Sequence, residues 1–284
     1  MADVKRIEVL QNIANQVRRD ILRMVYAVQS GHVGGSLGCA DFMTALFFEV
    51  MNCKPENFTM DGNGEDMFFM SNGHITPVLY SVMARKGYFP VSELSTFRRL
   101  HTRLQGHPSC IHGLPGIRMA SGSLGQGVSI ALGAAEAKKM NKDVHLVYVL
   151  TGDGELQEGQ VWEALMYAGA KKVDNIILTI DYNRKQIDGN VEQVMDLMDL
   201  SAKFCSFGWE VIEGDGNNMK LLLDCFNKAK KTVGKEKPVA FLMHTEMGFG
   251  VDFMQGNHKW HGTPPNKEQF ENAIAQIPKT LEDY

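Results

Sequence analysis

The sequence predicts an α/β fold built on a mostly parallel sheet with helices on both faces. Two short runs, residues 145–150 (HLVYVL) and 175–180 (NIILTI), are rich in β-branched residues and are bounded by turn residues. Strands that are buried on both faces of a parallel sheet have this composition. Between the runs, residues 158–171 carry apolar side chains at helical spacing. This order of strand, helix and strand is a βαβ unit, the connection that neighbouring parallel strands require.

The other elements follow from the same two patterns. Apolar residues that recur every three or four positions predict amphipathic helices, and short apolar runs between turn residues predict strands. In chain order, the patterns predict helices over residues 4–29, 39–51, 75–86, 122–139, 197–207 and 221–231, a short helical segment over 90–100, and strands over 67–70, 209–212 and 238–243. Residues 102–122 and 245–265 are irregular and glycine-rich, and such long loops inside a compact domain are usually functional.

The composition is that of a chain that can bury a large core. The chain has 284 residues, of which 44% are hydrophobic. This length predicts one α/β domain over residues 1–284, and we find no internal repeat or low-complexity linker. The net charge of −4, from 29 basic and 33 acidic residues, argues against a protein that binds the phosphate backbone of nucleic acids.

We expect a cytoplasmic protein without a membrane segment. No apolar run reaches the roughly 20 residues that span a bilayer. The amino terminus (MADVKRIEVLQ) lacks the apolar region of a signal peptide. The five cysteines are scattered and form no CxxC pair, which favours reduced thiols over disulfides or a metal site.

Polar residues follow both strands of the central βαβ unit. The sequence GDG occupies residues 152–154, and DYN occupies residues 181–183. Because open α/β sheets bind ligands at the carboxyl ends of their strands, we expect Asp153 and Asn183 to converge there. Carboxylate and amide oxygens suit Mg²⁺, which combines a few protein oxygens with phosphate oxygens. The glycines allow the backbone to approach a diphosphate closely, so the sequence predicts a site for Mg²⁺ and a diphosphate.

A turn that ends a strand and exposes a solvated aspartate is the competing interpretation. A GDG sequence alone is not specific, since a second copy occupies residues 214–216 with Thr245 at the spacing that Asn183 has from the first. We interpret the second copy as a turn. The strand context and the spacing to Asn183 favour a binding site at the first copy.

The central stretch resembles the thiamine diphosphate fingerprint, in which GDG is followed at about this distance by Asn, and GDGELQEG at residues 152–159 resembles its transketolase version. Further loops resemble those of the amino-terminal, diphosphate-binding domain of transketolases, in order and spacing over nearly the whole chain. They are SGHVGGSLG at residues 30–38, SNGH at 71–74, GHP at 106–108, SGSLGQG at 121–127 and WHG at 260–262. The implied fold is the thiamine diphosphate-binding (PP domain) fold.

The resemblance implies a role for particular residues. The implied ligands of Mg²⁺, for which Ca²⁺ or Mn²⁺ could substitute, are Asp153, Asn183 and the main-chain carbonyl of Lys185. The implied contacts to thiamine diphosphate are His74, Gly152, Gly154 and His261 at the diphosphate, and Gly122, Ser123 and Leu124 at the aminopyrimidine. The residues implied to line the substrate channel and act in catalysis are His32, His107 and His261, with His107 at the terminal hydroxyl of the donor ketose. Glu158 is implied to contact the cofactor and to be linked through protons to an activating glutamate of a partner.

The resemblance also implies a two-chain enzyme. Transketolases need a pyrimidine-binding domain that supplies the activating glutamate, and they carry a third domain. Since this sequence resembles neither, we expect it to be the amino-terminal subunit of a split transketolase, which pairs with a separate carboxyl-terminal subunit in an α2β2 heterotetramer. The implied reaction transfers a two-carbon ketol unit from a ketose phosphate to an aldose phosphate through the thiamine diphosphate carbanion.

Departures from the family pattern leave the substrate open. Val33 and Gly35 replace Pro and Ala in the first loop, and Asn217 replaces a His. Before Asn183 stands Tyr, and after it Arg184 and Lys185 replace an apolar pair. These sites affect the shape of the substrate pocket, so a split enzyme for a sulfo- or branched sugar is one alternative.

Two more functions compete with a transketolase. The first is that of a 2-oxo acid dehydrogenase α-type subunit, whose substrate would not need four sugar-facing histidines. The second is a non-catalytic or nucleotide-binding module, which is disfavoured because Asp153 and Asn183 are retained and no nucleotide phosphate loop is present. His112 and His258 match no functional motif, and we expect them to be surface residues.

Overall fold

The structure of the protein is a computed structural model and describes residues 4–284. The strands are β1 (Met67–Met70), β2 (Val147–Gly152), β3 (Ile176–Tyr182), β4 (Lys185–Gln186), β5 (Gly189–Asn190), β6 (Glu210–Asp215) and β7 (Val239–His244). Five of them form one parallel sheet in the order β1-β2-β3-β7-β6, and β4 and β5 form a separate antiparallel hairpin. All five strands that the apolar runs predict are present, and the predicted mostly parallel sheet is confirmed.

Helices surround the sheet. They are α1 (Val4–Val28), α2 (Val33–Gly38), α3 (Ala40–Ala45), α4 (Thr76–Lys86), α5 (Gln126–Met140), α6 (Gly159–Lys171), α7 (Val191–Met195), α8 (Leu200–Ser206), α9 (Met219–Thr232) and α10 (Lys267–Gln276). The last turn of α3 continues as a π-helical segment, Leu46–Val50. Within residues 4–284, no helix combines the length and apolar character that crossing a bilayer requires.

The side chains of the strands alternate between two cores, one on each face of the sheet. On β1, Phe68 and Met70 pack into the core that α1, α3, α4 and α9 cover, whereas Met67 and Phe69 pack into the core that α5, α6 and α8 cover. This alternation is the period of two that strands impose. Because helices cover both faces, ligands can reach the sheet at the carboxyl ends of its strands.

The strand register brings the polar strand ends together. Gly152 of β2 is opposite Asp181 of β3, and Tyr182 of β3 is opposite His244 of β7. The predicted boundaries were displaced by about two residues, because the apolar pattern stops before each strand ends. The strands therefore carry the start of both polar motifs to the same edge of the sheet.

Two local predictions were wrong. The glycine-rich stretch after His32 is helix α2 and not a loop; its glycines allow close contact, since a Cβ on Gly34 would lie 2.8 Å from the carbonyl oxygen of Trp260. The second GDG copy is not simply a turn, because Gly214 and Asp215 belong to β6 and pair with β7. Only its last glycine follows the strand. The β4–β5 hairpin and α10 were not predicted.

Candidate active site

A cavity of about 500 Å³ lies at the carboxyl edge of the sheet. The predicted site residues among its lining are His32, His74, His107, Gly122, Leu124, Gly152, Asp153, Gly154, Glu158, Asn183, Lys185 and His261. Of the predicted set, Ser123 alone is outside this lining, and it is exposed to solvent. Loops that are distant in sequence thus meet at one cavity, while the role of each residue stays a prediction.

Asp153 is buried at the end of β2, with 1% of its surface exposed. Its carboxylate accepts hydrogen bonds from the backbone nitrogens of Gly154, at 2.8 Å, and Arg184, at 2.5 Å. Burial, followed by the nearby charge of Asp181, raises the pKa of Asp153 to about 8. Asp181 is buried at the end of β3, and burial also raises its pKa. Burying two carboxylates without a cation costs free energy, and a divalent cation would compensate their charge.

Asn183 is held between two neighbours. Its Nδ2 donates to Oδ2 of Asp181 at 2.9 Å, and its Oδ1 accepts from the backbone nitrogen of Lys185 at 2.8 Å. Nζ of Lys185 donates to Oδ1 of Asn190 at 2.7 Å, which ties that side chain to the β4–β5 hairpin. The predicted metal ligand at Lys185 is its main-chain carbonyl, which does not require the side chain.

The oxygen donors fit Mg²⁺ bound together with a diphosphate. Within residues 4–284, no group of three or more His, Cys, Asp or Glu side chains could hold a metal ion by itself. Asp153 and Asn183 would supply few ligands, as is usual for Mg²⁺, which takes its remaining ligands from phosphates and water. The backbone beside them is open, since a Cβ on Gly152 would have its nearest neighbour 4.0 Å away, at Asn72.

Three imidazoles of the cavity lining form a cluster. The ring centroids lie 4.9 Å apart for His32 and His74, 5.1 Å for His74 and His261, and 5.4 Å for His32 and His261. The Nδ1 atoms of His32 and His261 are buried and have no hydrogen-bond partner within residues 4–284. Such atoms are costly to bury, so they are sites where a polar ligand would gain hydrogen bonds.

The imidazoles are neutral near pH 7. Burial, followed by the nearby His261, lowers the pKa of His32 to about 4. Burial and then the neighbouring His32 lower the pKa of His74 well below its usual value, and burial lowers the pKa of His261. A neutral imidazole has one N–H donor and one acceptor nitrogen, so each ring can bind a hydroxyl or exchange a proton with it.

His107 and Glu158 lie at the rim of the cavity, and both are exposed. The ring of His107 lies against Gly122, where a Cβ would come within 2.4 Å of its Cδ2. Gly122 also has a φ of +123°, so both the backbone and the ring require glycine there. Burial, followed by the charge of Arg98, lowers the pKa of His107.

Sequence reasoning missed three buried polar residues of the cavity, namely Asn72, Glu155 and Asp181, which are 1 to 3% exposed. Oδ1 of Asn72 is buried and has no hydrogen-bond partner in the described part of the chain. All three lie inside or beside the motifs SNGH, GDGE and DYN, and this position in the sequence was the signal that could have identified them. Their importance depends on the direction of the side chain, which the motifs do not reveal.

A second cavity of about 790 Å³ adjoins the first, since Ile187 and His261 line both. His258 also lines it. The prediction that His258 is a surface residue was wrong, because the residue is partly buried and its Nδ1 is enclosed without a partner among residues 4–284. His112 is exposed, as predicted.

Comparisons with known proteins agree with this geometry. Residues 9–278 match the family model described as transketolase, thiamine diphosphate binding domain. An apulose-4-phosphate transketolase subunit of Phocaeicola vulgatus is 36% identical over 277 residues, which are 98% of this chain and 96% of that protein. The 6-deoxy-6-sulfo-D-fructose transketolase subunit SqwG of Clostridium sp. is 38% identical over 95% of this chain and 96% of that protein.

Single-chain transketolases match over less than half of their length. Transketolase of Homo sapiens is 34% identical over 97% of this chain and 43% of that protein. The crystal structure of transketolase from Campylobacter jejuni superimposes with a TM-score of 0.87 and 33% identity, over 95% of this chain and 43% of that one.

The comparisons confirm the predicted fold and the resemblance to the amino-terminal subunit of a split transketolase. They confirm, at the level of the family, the prediction of a transketolase-type enzyme that depends on thiamine diphosphate. The chain belongs to the transketolase family, in which it corresponds to the thiamine diphosphate-binding domain.

Proposed function

We propose that this chain is the diphosphate-binding subunit of a two-chain transketolase that moves a two-carbon ketol unit from a ketose phosphate to an aldose phosphate. The observation that carries the proposal is the arrangement around one cavity of Asp153, Asn183 and the cluster of three imidazoles. Oxygen ligands for a metal and polar groups for a sugar lie within the same space. The whole chain, residues 1–284, would form this one diphosphate-binding domain.

Residues on the strand tips would hold the metal and the diphosphate. Asp153, Asn183 and the carbonyl of Lys185 would bind Mg²⁺, with Ca²⁺ or Mn²⁺ as substitutes, and Gly152 and Gly154 would admit the diphosphate. His74 and His261 would donate hydrogen bonds to it, and Gly122, Ser123 and Leu124 would contact the aminopyrimidine. Thiamine diphosphate, when bound, supplies a carbanion that attacks the ketose carbonyl and stabilises the charge left after carbon–carbon cleavage.

The imidazoles would bind the sugar and move protons. His32 and His261 are neutral, and their Nδ1 atoms, which have no partner among the described residues, can accept from or donate to hydroxyl groups. A group that is neutral at the working pH can take a proton from a hydroxyl and return it in the following step. His107, at the exposed rim, is placed for the terminal hydroxyl of the donor ketose.

A partner subunit would cover the open side of the cavity. Apolar side chains near the rim and along two helices are exposed, namely Leu124 by 38%, Ile130 of α5 by 41%, Met166 of α6 by 56% and Tyr167 of α6 by 47%. Exposed apolar surface of this kind is typical of protein interfaces. We propose that the partner is the carboxyl-terminal subunit, that its activating glutamate faces Glu158, and that two such pairs form an α2β2 heterotetramer in the cytoplasm.

A sulfo- or branched sugar is the second candidate substrate. The two subunit relatives that match over nearly their full length are named for apulose-4-phosphate and 6-deoxy-6-sulfo-D-fructose. Two departures from the family pattern, Gly35 of α2 and Lys185 of β4, line the cavity and support the same candidate.

The proposal is tested with the chain alone and with the partner that an adjacent reading frame would encode. Calorimetric titration of the pair with thiamine diphosphate should show binding that requires Mg²⁺. Ketol transfer from a panel of sugar phosphates and sulfo-sugars should be measurable for the pair and absent for the chain alone. A pair that binds no cofactor contradicts the assignment, and turnover by the chain alone contradicts the two-chain architecture.

A further inference from the structure

Glu155 is a buried acidic residue whose carboxylate accepts four hydrogen bonds. It is 3% exposed, although it lines the cavity. Oε1 accepts from Oγ of Ser71 at 2.5 Å and from the backbone nitrogen of Gly125 at 2.7 Å. Oε2 accepts from Oγ1 of Thr151 at 2.6 Å and from the backbone nitrogen of Gly152 at 3.2 Å. Within residues 4–284, no Lys, Arg or His forms an ion pair with it.

The four donors lie in or directly beside three separate loops. Ser71 directly follows β1 and begins the loop that carries His74. Gly125 is the residue before α5, at the end of the loop that contains Gly122. Thr151 and Gly152 end β2, directly before Asp153. Each of these loops carries residues that the proposed function assigns to thiamine diphosphate or its metal, and the carboxylate of Glu155 is bonded to all three.

Ser71 links the hydrogen bonds of Glu155 to the first turn of α5. Its Oγ donates to Glu155 and accepts from the backbone nitrogen of Gly127, at 3.1 Å, in the first turn of α5. A Cβ on Gly127 would lie 2.5 Å from this Oγ, so α5 approaches β1 as closely as glycine permits. Ser71 and Glu155 thus hold the amino-terminal end of α5 against the tips of β1 and β2.

We propose that Glu155 is a positioning residue that holds the loop after β1, the turn before α5 and the loop after β2 in the relative arrangement that thiamine diphosphate binding requires. The inference rests on the proposed function. Glu155 acts through neighbouring residues: it orients the backbone at Gly125 and Gly152, and the loops that contain these glycines make the contacts to the pyrimidine and to the metal.

A carboxylate is required because all four partners are donors. A glutamine at this position would present an NH₂ group to one pair of partners. Placed at Oε1 it would oppose the N–H of Gly125, and placed at Oε2 it would oppose the N–H of Gly152. The hydroxyls of Ser71 and Thr151 can rotate, but a backbone N–H cannot reverse, so either orientation moves one of the loops.

The experiment measures cofactor affinity separately from fold stability. Glu155→Gln is compared with wild type and with Glu271→Gln, a matched control at an exposed position of α10. Thiamine diphosphate with Mg²⁺ is titrated calorimetrically into the full chain assembled with its partner, and Tm is measured for each variant. We expect Glu155→Gln to raise the Kd for the cofactor by about tenfold to a hundredfold, as loss of a residue that orients ligands does. At saturating cofactor, the KM for the sugar should stay within about twofold of wild type.

The outcomes separate this inference from the proposed function. If wild type binds no cofactor, the proposed function fails and the inference with it. If wild type binds thiamine diphosphate and Glu155→Gln binds it with the same Kd, Glu155 is not a positioning residue. The same conclusion follows if the variant has a lower Tm but an unchanged Kd. Should the glutamine variant not fold, Ser71→Ala removes one donor and leaves the charge, and we then expect a Kd about threefold to tenfold above wild type. An unchanged Kd for Ser71→Ala would overturn the inference in that case.

Discussion

The backbone nitrogen of Arg184 donates to Oδ2 of Asp153 over 2.5 Å, so a residue just after β3 is bonded to the residue just after β2. The register of the two strands, with Gly152 opposite Asp181, makes this contact possible. The chain around Asn183 is therefore attached directly to Asp153. The proposed metal site depends on the central strands of the sheet and not on the longer glycine-rich loops.

Replacing Asp153 by Ala should abolish the retention of thiamine diphosphate that depends on Mg²⁺. The proposed metal has few protein ligands, and loss of one leaves the diphosphate charge uncompensated. We expect the Kd measured by calorimetry on the assembled enzyme to rise at least about a hundredfold. Asp224→Asn, at a partly exposed position of α9 outside the cavity lining, is the control. Retention equal to that of wild type would contradict the ligand assignment.

Replacing His107 by Ala should weaken use of the sugar without weakening cofactor binding. His107 is exposed at the rim, whereas Asp153 is buried, so the variant would lose one hydrogen bond to the donor hydroxyl. We expect kcat/KM for the donor to fall by about tenfold while the Kd for thiamine diphosphate is unchanged. His112→Ala, at an exposed position outside the cavity lining, should behave as wild type. Equal losses in both properties would show that His107 contacts the cofactor.

Replacing Met166 by Asp should prevent assembly with the partner. Met166 is 56% exposed on α6, and an aspartate in an apolar interface would be buried without a counter-ion. We expect co-purification with the partner to fall by at least about tenfold, with the far-UV circular dichroism of the chain unchanged. Met60→Asp is a control of matched exposure, since Met60 is 53% exposed and lies outside the proposed interface. Assembly of the Met166 variant at wild-type yield would remove α6 from the interface.

Asp283 should contribute stability that disappears in acid. Its carboxylate accepts hydrogen bonds from Arg19 and Gln16 of α1, and the pairing with Arg19 holds the pKa of Asp283 well below its usual value of 3.8. Because the folded pKa is the lower one, the contribution is complete above the unfolded value and is lost as the pH falls through the folded value.

We therefore expect Asp283→Asn to lower the free energy of unfolding by about 1 kcal/mol at pH 7, as a partly solvated charged pair does, and by less below about pH 4. Urea denaturation at several pH values measures the free energy of unfolding at pH 7 and its change in acid. Glu56→Gln, at an exposed position, is the control. A difference between the Asp283 variant and wild type that is the same at all pH values would contradict the pairing.

Local sequence patterns determined the class of the fold and the position of the site. Apolar runs predicted the five strands of the parallel sheet, and the motifs after β1, β2 and β3 predicted where a ligand would bind. These features depend on residues that are close together in the sequence, so they can be predicted from the sequence directly. Helix boundaries were less predictable, as α2 shows, because its glycines suit a loop until the close approach of Trp260 is known.

Only the tertiary structure decided how the site is held together. Glu155 bonds to Ser71 and Gly125, which precede it by 84 and 30 residues, and no local pattern specifies such partners. The packing also decided that His32, His74 and His261 contact one another and that burial lowers their pKa values. The physical reason is that burial and side-chain direction result from contacts between distant segments, whereas residue type and spacing are properties of the chain itself.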